Sequence, residues 1–120
     1  MIDPPIKDRA KKIYAESIVW DTHSGFEPYP EVDLSKLQIW RDAGVDYLSI
    51  DVGFDVMGWG DTVKTLAAFR RWILNNSDKY VLVQSTESVR QAKLEGKLAV
   101  TFDLEGMNAL DGSIDMLGLY

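Results

Sequence analysis

An α/β fold built on a parallel sheet is what this sequence predicts, and three observations predict it. Short apolar or β-branched runs alternate with helical patterns of about ten to fifteen residues, the rhythm of repeated βα units. The run "KLAVTFDLEG" at 97–106 is nearly continuous in apolar character, the mark of a strand covered on both faces. With 46% hydrophobic and 27% charged residues, the composition is that of a globular protein.

The elements follow in order. Residues 7–16 read as a short helix after Pro4-Pro5, with Ala10, Ile13 and Tyr14 on one side. "IVWDT" at 18–22 is strand-like. Asp33 is placed to cap a helix over 34–43, in which Leu34, Leu37 and Trp40 recur every three positions and Gly44 sits just past the end. "VDYLSIDVG" at 45–53 is a second strand. Asp61 is expected to cap a longer helix reaching about Asn76, with Leu66, Phe69 and Ile73 as its apolar stripe. "YVLVQ" at 80–84 is another short strand. Ser85 or Thr86 opens a helix carrying Val89 and Ala92, which Gly96 closes before the run at 97–106. Ser113 can cap a last helix, within two turns of Tyr120.

Three or four parallel strands with two raw edges amount to about half of an eight-stranded βα barrel, which takes ~250 residues. The expectation is therefore the N-terminal part of a (β/α)8 TIM barrel, residues 1–120 forming one truncated domain. Open edges of that kind invite self-association.

Charge excludes some functions. A net charge of −6, with Lys11-Lys12 and Arg70-Arg71 as the only adjacent cations, gives no basic patch for nucleic acid. No run approaches transmembrane length, and there is no cysteine for disulfides or thiolate metal sites. A cytoplasmic location is the expectation, with no nucleic-acid or membrane partner.

Chemistry in a βα barrel sits at the C-terminal ends of the strands. Two strands here end in metal-capable residues: Asp21 and His23 on the first, Asp103 and Glu105 on the run at 97–106. Strand alternation puts Asp21, His23 and Gly25 on one side, and Asp103 and Glu105 on one side. If both sides face a common cavity, one imidazole and up to three carboxylates converge, a set suited to Zn²⁺ or a similar ion. The other reading is that the single histidine is hydrogen-bonded structurally and Glu105-Gly106 is a turn. The loop "DVGFDVMGWGDT" at 51–62 lacks the spacing of a calcium or phosphate loop.

"VWDTHSG", "STESVRQAKLEGK" and "GKLAVTFDLEGMNALDGSIDMLGLY", in this order and separation, resemble the membrane-dipeptidase family of zinc metallopeptidases. The resemblance covers almost the whole chain. It implies a (β/α)8 barrel whose two metal ions hydrolyse dipeptides with an activated water. In that family an Asp-x-His-x-Asp motif on the first strand binds one ion, a later Glu bridges both, and two histidines on further strands complete the site. Carried over, His23 is a metal ligand and Glu105 the bridging, catalytic carboxylate.

The chain departs from that pattern in two places. Gly25 stands where the family has its second Asp, so one carboxylate is missing. Asp103, where the family has a small residue, or Asp21 is the candidate to replace it. No histidine follows His23, so the later ligands are absent too. The chain alone is expected to lack dipeptidase activity. An alternative is a relative that abandoned peptidase chemistry and binds or processes another small molecule with one ion or none.

Overall fold

The computed structural model describes residues 4–120. Helix α1 spans Pro4–Glu16 and β1 Trp20–Gly25. A 3-10 turn, Leu34–Leu37, runs into α2, Gln38–Asp42. Then follow β2 (Tyr47–Phe54), α3 (Trp59–Asn75), β3 (Tyr80–Leu82), α4 (Thr86–Leu94) and β4 (Leu98–Glu105). Two short 3-10 turns, Asn108–Leu110 and Ile114–Gly118, come last.

The four strands form one parallel sheet in the order β1-β2-β4-β3. Among the described residues it is open at both edges, which is consistent with part of a barrel, although β4 and not β3 is the neighbour of β2. The apolar β4 lies beside β2, while the three-residue β3 is an appended edge paired only with Leu98–Val100 of β4. Above Val100 the outer margin of β4 has no strand beside it among the described residues. An apolar cavity of about 170 Å³ lies there, lined in part by Leu66, Leu82, Phe102 and Leu104.

The two faces of the sheet are covered differently. On one, Leu48, Ile50 and Val52 of β2 and Leu98 and Val100 of β4 pack on Phe69 and Ile73 of α3 and on Leu34 and Leu37. Phe69 is fully buried, which contributes about 1.5–3 kcal/mol. On the other, Tyr47 and Ala99 meet Val89 and Ala92 of α4. That cover stops near the N-terminal ends of the strands. Further along the same face come Ser49 and Asp51 of β2 and Thr101, Asp103 and Glu105 of β4, by strand alternation.

Local chemistry sets the element boundaries. Asp33 caps as the sequence predicts, its Oδ1 accepting the Ser35 N–H at 3.0 Å, but the first turn it caps is 3-10. Ser85 and Ser88 form a reciprocal capping box at α4. Asp61 does not cap α3. The helix starts earlier, at Trp59, with Gly58 as its N-cap; the Gly58 carbonyl accepts the N–H groups of Asp61 and Thr62, and Asp61 pairs instead with Lys64. The buried face of α3 is Thr62, Thr65, Phe69 and Ile73, with Leu66 only partly covered. Thr62 is admitted because a Cβ on the facing Gly53 would collide with it. Thr65 is satisfied by donating to the Pro28 carbonyl at 3.0 Å. The closing segment after Ser113 is a 3-10 turn, not an α-helix.

Strand β1 differs most from its expected span. It begins at Trp20 and runs through His23 to Gly25. Its pairing with β2 shifts between Asp21 and Ser24, where three residues of β1 span two of β2.

Candidate metal centre

The register shift decides which β1 side chains reach the polar end of the sheet. Trp20 stands beside Tyr47 and Asp21 beside Leu48, so Asp21 falls on the α3 side. Its Oδ2 accepts the Trp40 indole N–H at 3.0 Å. Asp21 and His23 therefore do not share a side, contrary to simple alternation, because the extra residue reverses the parity. His23 turns to the polar side instead.

There His23 Nδ1 lies 2.8 Å from Asp103 Oδ1. The other Asp103 oxygen accepts the Ser49 hydroxyl. A carboxylate can only accept when ionised, so Nδ1 carries the proton and Nε2 is left on the side of Glu105. Nε2 is 3.5 Å from Glu105 Oε2. The two residues on which the sequence reading turned thus meet at one rim.

Asp51 is the third member. His23, Asp51 and Glu105 each offer a ligand atom within 4.8 Å of the others. Asp51 is buried, and its Oδ1 accepts the Gly53 N–H at 3.0 Å. Burial pushes its carboxyl above the usual aspartate value, opposed by the Gly53 bond and reinforced by the charge of Asp103. Asp103, by its hydrogen bond and then its charge, holds the His23 imidazole above the usual histidine value. Among the described residues no lysine or arginine pairs with Asp51, Asp103 or Glu105.

Sequence reasoning missed Asp51 and Ser49. A signal was present: "SIDVG" ends an apolar strand in an aspartate, as β4 does. Gly25 stands beside Asp51 in the register, so a carboxylate occupies the neighbourhood where the first strand has none. Asp103, a candidate replacement, has both oxygens engaged by His23 and Ser49 and orients the imidazole from behind. Asp21 is held by Trp40, away from this group.

The donor set fits a divalent cation. With Nδ1 protonated, Nε2 faces the Glu105 carboxylate at 3.5 Å, a contact that a proton on Nε2 or a cation held between the two satisfies. One imidazole and two carboxylates suit Zn²⁺ or a similar borderline ion, and three protein ligands are the number found at catalytic zinc. Hydrogen-bonding the far nitrogen of a ligand histidine to a carboxylate is a recurrent way of fixing its tautomer.

No protein-family model matches the chain, and no curated protein matches it. Among solved structures it is similar to the crystal structure of an amidohydrolase from Pseudomonas aeruginosa, with 23% identity and a TM-score of 0.76. The likeness covers 91% of this chain and 32% of that one, so the chain spans about a third of the length of the structure it matches. It shows the fold: an α/β arrangement of parallel strands and flanking helices. Among the described residues no helix is long and apolar enough to cross a membrane.

Proposed function

We propose that this chain carries part of the metal centre of a hydrolase acting on amide bonds, with dipeptides as the substrate class. One observation carries the reading. An imidazole nitrogen and two carboxylates from three different strands converge within 4.8 Å, with no ammonium or guanidinium group among the described residues paired to the carboxylates. The likeness to an amidohydrolase and the sequence resemblance to metallodipeptidases support it.

His23 through Nε2, Asp51 and Glu105 would hold the ion, and Zn²⁺ suits this set. Such an ion, when bound, polarises a carbonyl oxygen and acidifies water near neutral pH. The chain's own residues do the rest. Asp103 keeps the proton on Nδ1 of His23, and Ser49 fixes Asp103. Glu105, more than half exposed, is the group that can take a proton from water and return it to the leaving amine. A complete centre of the pattern it resembles would take two more histidines, and this chain has only His23.

Titration calorimetry with Zn²⁺ tests the reading. One equivalent should bind, His23→Ala should abolish the heat, and the chain alone should not turn over dipeptides. Absence of binding, or binding that His23→Ala leaves intact, overturns the metal centre.

Gly25 favours a second reading, in which the protein keeps the barrel and one ion but acts on, or binds, another small molecule. Dipeptide turnover by a longer form of the protein with added zinc would exclude it.

A further inference from the structure

Glu105 raises a question of support. Its side chain is exposed, and its approach to His23 at 3.5 Å is longer than a close hydrogen bond. A carboxylate so placed depends on its backbone for direction, and that backbone sits where β4 ends. Two devices hold it. Below, Glu105 pairs with Phe54 after a register shift in β2. Above, the residue after Phe54 takes over.

That residue is Asp55. Its Oδ1 accepts the Met107 N–H at 2.7 Å and the Asn108 N–H at 3.1 Å. The Asn108 side-chain amide donates back to the Asp55 carbonyl. Gly106 lies inside this clamp with φ +94°, a left-handed conformation that side chains disfavour, and a Cβ there would collide with the Asp55 carboxylate. The sequence Glu105-Gly106 is thus bent around Asp55. The carboxylate itself is spent on backbone N–H groups and is not a member of the His23, Asp51 and Glu105 group.

We propose that Asp55 is a positioning residue for the metal centre, acting through Glu105. By anchoring the two backbone N–H groups beyond Gly106, it fixes the direction in which β4 delivers the Glu105 carboxylate to His23 and Asp51. The inference rests on the metal-centre reading given above. Partners that orient ligands without touching the ion are worth about 10–100-fold in metal affinity, so loss of Asp55 should weaken binding by roughly that factor.

Two measurements on the 120-residue chain test it. The first needs no metal: amide hydrogen exchange at Met107 and Asn108, compared between the parent, Asp55→Asn and Asp55→Ala. Exchange should quicken at these two amides in Asp55→Ala, less so in Asp55→Asn, with the amides of β2 and β4 still protected. Unchanged exchange at both amides sinks the clamp. The second is Co²⁺ titration followed by its visible absorption, which reports coordination as well as affinity. Asp55→Ala should weaken Co²⁺ binding about tenfold or more, and Asp55→Asn, which keeps an acceptor oxygen, should recover part of the loss.

Combining Asp55→Ala with Glu105→Gln separates positioning from general loosening. If Asp55 acts through Glu105, the two losses do not add; full additivity overturns the proposal. A parent that takes up no Co²⁺ overturns the metal-centre reading itself and the positioning role with it. A parent that binds while Asp55→Ala binds equally well overturns the positioning role alone.

Discussion

One face of the sheet is two different surfaces. Toward the N-terminal ends of β2 and β4, Tyr47 and Ala99 are closed under Val89 and Ala92 of α4. A few residues on, the same face carries Ser49, Asp51, Asp103 and Glu105, with His23 reaching in from β1. The Tyr47 hydroxyl, bonded to Thr101 Oγ1, is the seam between them. The lower surface does the packing and the upper holds charge that packing alone would not favour. Packing and charge are divided along the length of the same strands.

The largest effect expected from breaking this division is on the packed side. Tyr47→Ala removes a buried aromatic that also stacks on Trp20 at 4.0 Å. It should cost about 3–5 kcal/mol in chemical denaturation. A cost below about 1 kcal/mol would mean that α4 is not a true cover.

On the polar side the same kind of truncation should act in the opposite manner. His23→Ala should weaken Zn²⁺ binding by about 100-fold or more, beyond what loss of an orienting partner costs, and lower the thermal midpoint only slightly, through loss of the Asp103 contact. A large drop in the midpoint would show the histidine to be structural. Asp51→Asn should weaken the metal by about tenfold, by analogy with orienting partners. Because it removes a buried carboxylate held against its own preference for water, it should also hold or raise stability, by up to about 1 kcal/mol. Equal loss of stability and affinity at Asp51 would erase the contrast between the two surfaces.

Gly25 offers a way to sharpen it. A Cβ there meets nothing within 4 Å, and the residue lies beside Asp51. Gly25→Asp should fold and tighten Zn²⁺ binding severalfold in calorimetry, since it adds a donor without displacing packing. Weaker binding would mean that the added charge is not shared with an ion.

The smallest effect lies away from both surfaces. The Ser35 hydroxyl and N–H hold Asp33 below the usual aspartate range. A carboxyl lowered in the folded chain adds stability above its unfolded value, near 3.8, and loses it as pH falls through the folded one. The gap in thermal midpoint between the parent and Asp33→Ala should therefore persist at pH 7 and close in acid. A gap independent of pH would assign the effect to helix propensity.

Much of this was legible before any coordinates, and the failures have physical causes. Strands and helices were readable because their apolar periods differ, and His23 and Glu105 because each breaks an apolar run at its end. Asp51 is hard to read from the sequence because a glycine-rich stretch follows it directly, although β2 continues to Phe54. Asp21 was misplaced because a register shift leaves no trace in a single strand's sequence; it exists only in the pairing. The cap of α3 is Gly58 and not Asp61 because the carbonyl of a glycine can begin a helix without any side-chain signal. The neighbour order of β3 and β4 is likewise a property of the sheet and not of either segment.

The short β3 has a geometric consequence for whatever lies against β4. Because it occupies Leu98–Val100, any newcomer to that margin can ladder only from Thr101 upward. That is an offset of three residues, about 10 Å along the strand. The newcomer is thereby lifted toward the end where Asp103 and Glu105 sit, and its own first paired side chains arrive beside the acidic mouth instead of deep in the packed floor. Three residues of edge strand act as a spacer that sets the height at which any further strand could join.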